Sequence, residues 1–225
     1  MTGQQLKWIA AFAMLLDHIS VALMNGAMNE TAALAFPAMA FRSIGRLAFP
    51  IFCFLLVEGF YHTKNIKNYM GRMALFSVIS EVPFDLAISG SFVNWQSQNV
   101  YFTLLIGLLV MYGIQKIDQC YAGLDLGSFL TIAVIAAGCG AAFFLKSDYH
   151  MYGILFIVIL YSLHEDKTRQ TIFGILMAAC ESTAVFSFIP IWFYNGQAGK
   201  TRFRYFFYWF YPAHLLILGL LRVWG

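Results

Sequence analysis

Long apolar runs limit this chain to a membrane-spanning fold more strongly than any other feature of its sequence. Gln98–Gln115 and Leu126–Leu145 carry no charged residue, and Gln170–Phe193 carries only Glu181. A helix that crosses the hydrocarbon core of a bilayer, which is ~30 Å thick, needs about 20 mostly apolar residues. These runs are continuous rather than alternating, which indicates helices and not the strands of a membrane barrel.

Five further windows are shorter or are interrupted by ionisable residues, and we predict that each is a helix of the same bundle. They are Leu6–Asn25, Ser43–Tyr61, Tyr69–Ser89, Tyr149–Leu163 and Tyr205–Leu221. Short loops join all eight windows, and no linker or internal repeat divides the chain. The predicted fold class is therefore all-α, a polytopic transmembrane helical bundle of about eight helices in a single domain, residues 1–225.

The composition excludes the main soluble classes of protein. Sixty per cent of the residues are hydrophobic and 11% are charged, whereas a soluble domain carries roughly 25% charged residues. The net charge of +3 is too small for a surface that binds nucleic acid. The four cysteines, Cys53, Cys120, Cys139 and Cys180, show no CxxC spacing, so no metal site or redox motif is predicted.

Basic residues near the predicted helix ends indicate the orientation in the cytoplasmic membrane. The cluster between His62 and Arg72 predicts a cytoplasmic loop, and an even number of helices then places Lys7 and Arg222 on that side as well. One loop conflicts with this prediction, since Lys200, Arg202 and Arg204 would face outwards. Either the helix count is wrong by one, or that loop dips back to line a cavity.

Ionisable residues are concentrated in the first three predicted spans, where each costs about 2.5–3.5 kcal/mol on insertion scales. Helical spacing decides which of them share a face. Arg42 and Arg46, Glu58 and His62, and Glu81 and Asp85 are pairs four residues apart, whereas Asp17 and His18 are adjacent and point apart. We interpret the set as a polar reaction chamber. The alternative is a set of structural ion pairs, such as Arg46 with Glu58 or Glu81.

Two histidines inside predicted spans are candidates for proton transfer. His18 follows Asp17, and His214 follows Pro212 by two residues. Proline lacks an N–H group and frees backbone carbonyls in its helix. Because histidine titrates near neutrality, it suits the activation of an amine or a hydroxyl. The alternative for each histidine is a structural hydrogen bond.

The chain resembles the TraX family in segments that run in order from one end to the other. These are Leu6–Ala10, Met14–Ile19, Arg42–Phe52, Glu58–Phe60 with His62–Thr63, Ser80–Asp85, Gln98–Val100, Tyr194–Gly196, and Phe207–Tyr208 with Phe210–Leu215. The resemblance implies acetylation of the N-terminal amine of a pilin. It also implies an outline similar to multi-helix membrane acyltransferases, which carry a key histidine in an early helix; His18 is the matching position.

The residues and the resemblance together suggest a mechanism. Acetyl-CoA is the expected cosubstrate, with no metal, and the expected partners are an acceptor amine or small membrane protein and the lipid bilayer. His18 takes a proton from the acceptor, and Asp17, Glu58 or Glu81 orients its ring. Residues predicted to hold the cosubstrate are Arg42, Arg46, His62, Lys64, Arg72 and Asn99. Further site candidates are His214, Asp85, Tyr211 and Glu181.

A transporter remains the alternative function, because buried charges also form ion or proton paths. Transporters often carry matching polar sets in two halves of the chain. Here the ionisable residues cluster in the first third without such a partner set, which favours the enzyme.

Overall fold

The computed structural model describes residues 1–24, 34–199 and 205–224, and helices are the main regular elements in these ranges. The α-helices are α1 Gly3–Ile19, α2 Ala35–Gly45, α3 Ala48–His62, α4 Ile66–Ile79, α5 Glu81–Ser89, α6 Val100–Tyr121, α7 Asp125–Phe144, α8 His150–Ser162, α9 Lys167–Ala178, α10 Phe188–Trp192 and α11 Phe206–Trp224. A π-helical turn, Ser20–Met24, extends α1, and a 3₁₀ segment, Ala179–Ser187, joins α9 to α10.

Polar caps fix where several of these helices begin. Thr2 and Gln5 form a capping box at the start of α1, in which each side chain binds the backbone N–H of the other. The side chains of Asn65, Asn99 and Asp166 accept backbone N–H groups at the starts of α4, α6 and α9. These N–H groups have no partner within the helix, so a capping side chain stabilises each helix start.

The predicted all-α membrane fold is confirmed. Within the described ranges, six segments are long and apolar enough to cross a bilayer: Gly3–Met24, Ala35–His62, Val100–Tyr121, Asp125–Phe144, Lys167–Trp192 and Phe206–Trp224. They correspond to six of the eight predicted spans. The seventh is α8, which is apolar but shorter. The eighth, Tyr69–Ser89, is divided between α4 and α5.

The division between α4 and α5 has a local cause. Pro83 lies in the first turn of α5, where its missing N–H group costs nothing, whereas a continuous helix would need that group. The two helices nevertheless follow each other along α11. The Phe76 ring on α4 lies 5.1 Å from that of Tyr208, and Arg222 donates to the carbonyl of Ala87 on α5 at 2.8 Å. Together they traverse the bundle.

The segment Lys167–Trp192 folds back on itself. A straight helix of this length would separate its ends by about 38 Å, yet the Lys167 ammonium lies 5.0 Å from the centre of the Trp192 ring. The backbone leaves the helical region at Glu181 and at Ser182, where φ is +53°. Gly174 on α9 lets the Phe188 ring of α10 pack against its backbone. We call this segment the hairpin.

The hairpin returns the chain to the end of the bundle that holds Met1. Gly3 N–H donates to the carbonyl of Gln197 at 2.8 Å, and Gln4 N–H donates to that of Ala198 at 3.0 Å. The first turns of α11 lie at this end too, since the Phe206 ring is 5.2 Å from that of Trp8. We call it the N-terminal end.

The hairpin changes the predicted orientation. Helix α11 begins at the N-terminal end and carries Arg222 to the opposite end, beside Ala87 and Ile88. The prediction that Lys7 and Arg222 share one side is therefore wrong, because it counted the hairpin as a crossing. The conflicting residues Lys200, Arg202 and Arg204 lie outside the described residues.

Candidate active site

Two histidines that are 196 residues apart in the chain meet inside the bundle. His18 Nδ1 on α1 lies 2.7 Å from His214 Nε2 on α11, and the rings stack with centroids 5.0 Å apart. His214 Nδ1 lies 2.6 Å from the carbonyl oxygen of Phe210. His214 is buried, whereas His18 keeps part of its surface open. The sequence singled out each histidine but not their contact.

Pro212 acts on α11 as the sequence predicts. It cannot donate to the carbonyl of Tyr208, four residues earlier. That carbonyl instead accepts the hydroxyl of Tyr101 on α6, at 3.4 Å. The freed backbone group thus ties α11 to α6 one turn from Tyr211.

A cavity of about 270 Å³ leads from the N-terminal end towards the histidine pair. Lys7, Thr63 and Arg72 line its outer part, and Met14 and Tyr211 line its inner part. Met14 is one helical turn before His18, and the Tyr211 ring lies edge-on to the His18 ring with centroids 5.8 Å apart. The remaining wall is mostly apolar and aromatic: Phe52, Leu55, Leu56, Gly59, Tyr69, Met73, Val100, Tyr101, Leu104, Phe207 and Tyr208.

Lys7 and Arg72 face this cavity with aromatic rather than acidic partners. The Lys7 ammonium lies 5.9 Å from the centre of the Phe207 ring, and the Arg72 guanidinium lies 5.8 Å from that of Tyr69. Neither forms an ion pair with a carboxylate of residues 1–24, 34–199 or 205–224. Of the two, the sequence predicted Arg72 as a binding residue and missed Lys7.

The other two predicted arginines are held by carboxylates. Arg42 Nη1 contacts both oxygens of Asp17, at 2.9 and 3.0 Å, and Arg46 Nη1 lies 2.6 Å from Glu181 at the turn of the hairpin. Gly45 permits the first contact, because a Cβ atom there would overlap Asp17. Asp17 is thus paired with Arg42, not with His18. We call these four residues the paired layer.

Glu58, His62 and Lys64 lie at the N-terminal end of the bundle. Glu58 Oε1 contacts His164 Nε2 at 2.8 Å, and His62 lies 3.8 Å from the same carboxylate. His164 also stacks on Tyr61, with ring centroids 3.9 Å apart. Glu58 therefore serves this cluster rather than His18. The sequence showed no sign of the contact between Glu58 and His164, which are 106 residues apart.

Glu81, Asp85 and Asn99 form a structural set near the break between α4 and α5. The Asn99 amide group donates to Glu81 and to the carbonyl of Ser77, while its side-chain oxygen caps α6. Asp85 accepts the N–H of Asn94 at 2.7 Å. Because the polar atoms of Asn99 already bind protein groups, its side chain is not free to hold a cosubstrate.

Asp148 is a half-buried carboxyl that sequence reasoning did not select. It lies in the connection between α7 and α8, where it pairs with Gln98 through the backbone and accepts the N–H of Tyr149. Burial raises the pKa of Asp148 to about 6, although the Tyr149 N–H acts in the opposite direction. It is close enough to Arg46 to feel that charge. The sequence could not indicate these surroundings, because an acidic residue just before a helix is a very common pattern.

Comparisons with known proteins give one family and one similar protein. The family model described as "TraX protein" matches residues 2–222. The chain is 31% identical over 246 residues to the "Probable fimbrial assembly protein FimC, serogroup H1" of Dichelobacter nodosus, covering 95% of this chain and 93% of that protein. No solved structure matches it.

Proposed function

This chain belongs to the TraX family, and from that premise we propose that it is a membrane-embedded acetyltransferase that uses acetyl-CoA. One observation carries the proposal. The cavity carries two cations at its outer part, and neither has an acidic partner in the described chain. Its inner part reaches Tyr211. The Tyr211 ring contacts the two stacked histidine rings, the only such pair among those residues.

The cavity suits the cosubstrate in charge and in polarity. CoA combines several phosphates with a long, thin and mostly uncharged arm that ends in sulfur. Lys7 and Arg72 would hold phosphate oxygens, since cations bind them through charge-assisted hydrogen bonds. The apolar and tyrosine-rich wall would surround the arm. Exposed Lys64, which lies at the same end of the bundle, would add positive charge nearby.

His18 and Tyr211 would serve the chemistry at the inner end. The bound thioester supplies the activated acetyl group. His18 accepts the proton that the acceptor amine loses as its nitrogen bonds to the carbonyl carbon and the carbon–sulfur bond breaks. The leaving thiolate then takes up a proton. The Tyr211 hydroxyl is the donor we assign to the carbonyl oxygen as negative charge develops there.

The acceptor that we propose is the N-terminal amine of a small membrane-inserted pilus subunit. Two findings support this class. The relative from Dichelobacter nodosus is named for fimbrial assembly, and the family resemblance implies pilin acetylation. A base inside the bundle suits an acceptor that is itself held by the membrane.

Acetyl transfer by purified protein tests the proposal. We expect transfer from labelled acetyl-CoA to a pilin N-terminal peptide in detergent, and a loss of about a hundredfold or more in His18→Ala, because a general base contributes on this scale. His150→Asn is the matched control: His150 is exposed and has a left-handed φ of +42°, which asparagine tolerates.

The same preparation separates the enzyme from the transporter. Thermal stabilisation by CoA together with His18-dependent transfer supports the enzyme. Full turnover in a folded His18→Ala variant would remove His18 from the chemistry. If saturating CoA neither stabilises the protein nor yields product, while the protein conducts protons in liposomes, the acetyltransferase proposal is wrong.

A further inference from the structure

We propose that His214 is a positioning residue that fixes the tautomer of His18, so that His18 Nε2 is the nitrogen that accepts the proton. This inference rests on the proposed acetyl transfer for its catalytic meaning. Its structural content, the protonation pattern of two rings, can be measured without any reaction.

The protonation of the two rings follows from their hydrogen-bond partners, taken one after another. The carbonyl of Phe210 can only accept, so the His214 nitrogen 2.6 Å from it, Nδ1, must carry a hydrogen. In a neutral ring the other nitrogen, Nε2, is then an acceptor. His18 Nδ1, 2.7 Å away, must therefore donate to it. A neutral His18 is left with an unprotonated Nε2.

The surroundings of the pair favour two neutral rings. Its neighbours are aromatic: the Phe210 ring stacks on His214 with centroids 4.8 Å apart, and Tyr211 lies edge-on to both histidines. The Arg42 guanidinium is close enough to act on His18 electrostatically. No carboxylate of the described chain forms an ion pair with either ring, so nothing there offsets an imidazolium before the reaction.

His18 Nε2 makes no hydrogen bond with any other residue that the structure describes. When this nitrogen takes the proton of the acceptor amine, Nδ1–H still donates to His214. A hydrogen bond from a charged donor is stronger than one from a neutral donor, so His214 stabilises the imidazolium as it forms. A neutral histidine here does the work that the sequence assigned to Asp17, Glu58 or Glu81.

Two substitutions of His214 separate its hydrogen bonding from its bulk. Glutamine can still accept from His18 and donate to the Phe210 carbonyl, whereas phenylalanine fills the space and does neither. We expect His214→Phe to lower kcat about a hundredfold with little change in KM for acetyl-CoA. His214→Gln should recover a large part of kcat.

Nitrogen NMR of histidine-labelled protein gives the readout that is independent of activity. The chain has five histidines, and a His18→Asn variant identifies the His18 signals. We expect a protonated Nδ1 and an unprotonated Nε2 in the wild type and in His214→Gln, and a mixture of tautomers in His214→Phe. A protonated Nε2 in the neutral wild-type ring, or an unchanged His18 tautomer in a folded His214→Phe variant, would overturn the inference. The expected NMR pattern without any acetyl transfer would instead reject only the proposed function.

Discussion

The paired layer and the cavity use the same kinds of charged residue in opposite ways. Arg42 and Arg46 are each bound to a carboxylate at 2.9 and 2.6 Å, and each contact joins parts of the chain that are far apart in sequence. Lys7 and Arg72 instead lie beside aromatic rings at the wall of the cavity. A paired arginine has its charge already neutralised, so it is the cations at the cavity that remain available to an anion, as the proposed function requires.

The comparison also decides between two interpretations of the sequence. Structural ion pairs and a polar chamber were alternatives for one set of residues. The structure divides the set: Asp17, Arg42, Arg46 and Glu181 are paired, as the structural interpretation requires. His18, His214 and Arg72 form no ion pair within the described part of the chain. The structural interpretation therefore holds for the paired layer, although Arg46 meets Glu181 and not Glu58 or Glu81; a reaction chamber around the other residues stays a prediction.

The largest effect is expected at Asp148, the one carboxyl near the paired layer that lacks an ion-pair partner among the described residues. Asp148→Asn should stabilise the protein at pH 7 by about 3 kcal/mol, the free energy of its pKa shift. Because the folded pKa is about 6 against an ordinary 3.8, the contribution of Asp148 to stability is fully present below about pH 4 and is lost as pH rises through about 6. Thermal unfolding across this range measures it.

The control for Asp148 is Asp118→Asn, a change at an exposed carboxyl on α6. It should leave the dependence of stability on pH unchanged. If the stability of Asp148→Asn changes with pH between 4 and 6 as that of the wild type does, ionising Asp148 costs little free energy. Asp148 would then be neutralised by a neighbouring cation, as the carboxylates of the paired layer are.

A smaller loss is expected when a pair is broken. Arg46→Met should destabilise the protein by about 2 kcal/mol, below the 3–5 kcal/mol of a fully buried pair, because the side chains of Arg46 and Glu181 are 34% and 28% exposed. The double variant Arg46→Met with Glu181→Gln should recover most of the loss. Unfolding in detergent checks this, and an increased KM for acetyl-CoA at unchanged stability would return Arg46 to the cosubstrate site.

The smallest effect concerns affinity. Lys7→Met and Arg72→Met should each weaken CoA binding about tenfold, or about 1.4 kcal/mol, with little change in the unfolding temperature. Lys116→Met is the matched control, since Lys116 also lies over a tyrosine ring, that of Tyr112, but does not line the cavity. Calorimetric titration with CoA measures the three. If the three variants bind CoA with equal affinity, the cations of the cavity have no special part in anion binding.

Much of the fold was predictable because lipid imposes a simple condition on sequence. A segment that crosses hydrocarbon must be apolar for about 20 residues and must satisfy its backbone internally, so six long apolar windows were located, although one of them, the hairpin, folds back instead of crossing. The hairpin was not predicted. Its composition matches that of a crossing helix, and the turn at Glu181 and Ser182 carries no proline or glycine.

The candidate site was predictable only in its residue types. Helical spacing placed Arg42 and Arg46 on one face but could not show which carboxylates they meet. Lys7, which lines the cavity, was not selected because a lysine near a helix end is usual at a membrane surface. Asp148 was missed because it gains its surroundings from Gln98, which is 50 residues earlier.

The sequence by itself determined that this chain is a helical membrane protein of the TraX type with costly ionisable groups in its first spans. Those properties depend on composition and on local sequence patterns, because the lipid bilayer admits only segments that are apolar over their whole length. Only the tertiary structure decided that His18 meets His214, that Arg42 and Arg46 are neutralised, and that Lys7 and Arg72 are not. The reason is that electrostatic and hydrogen-bond energies depend on distances in space, and these contacts join residues that the chain keeps far apart.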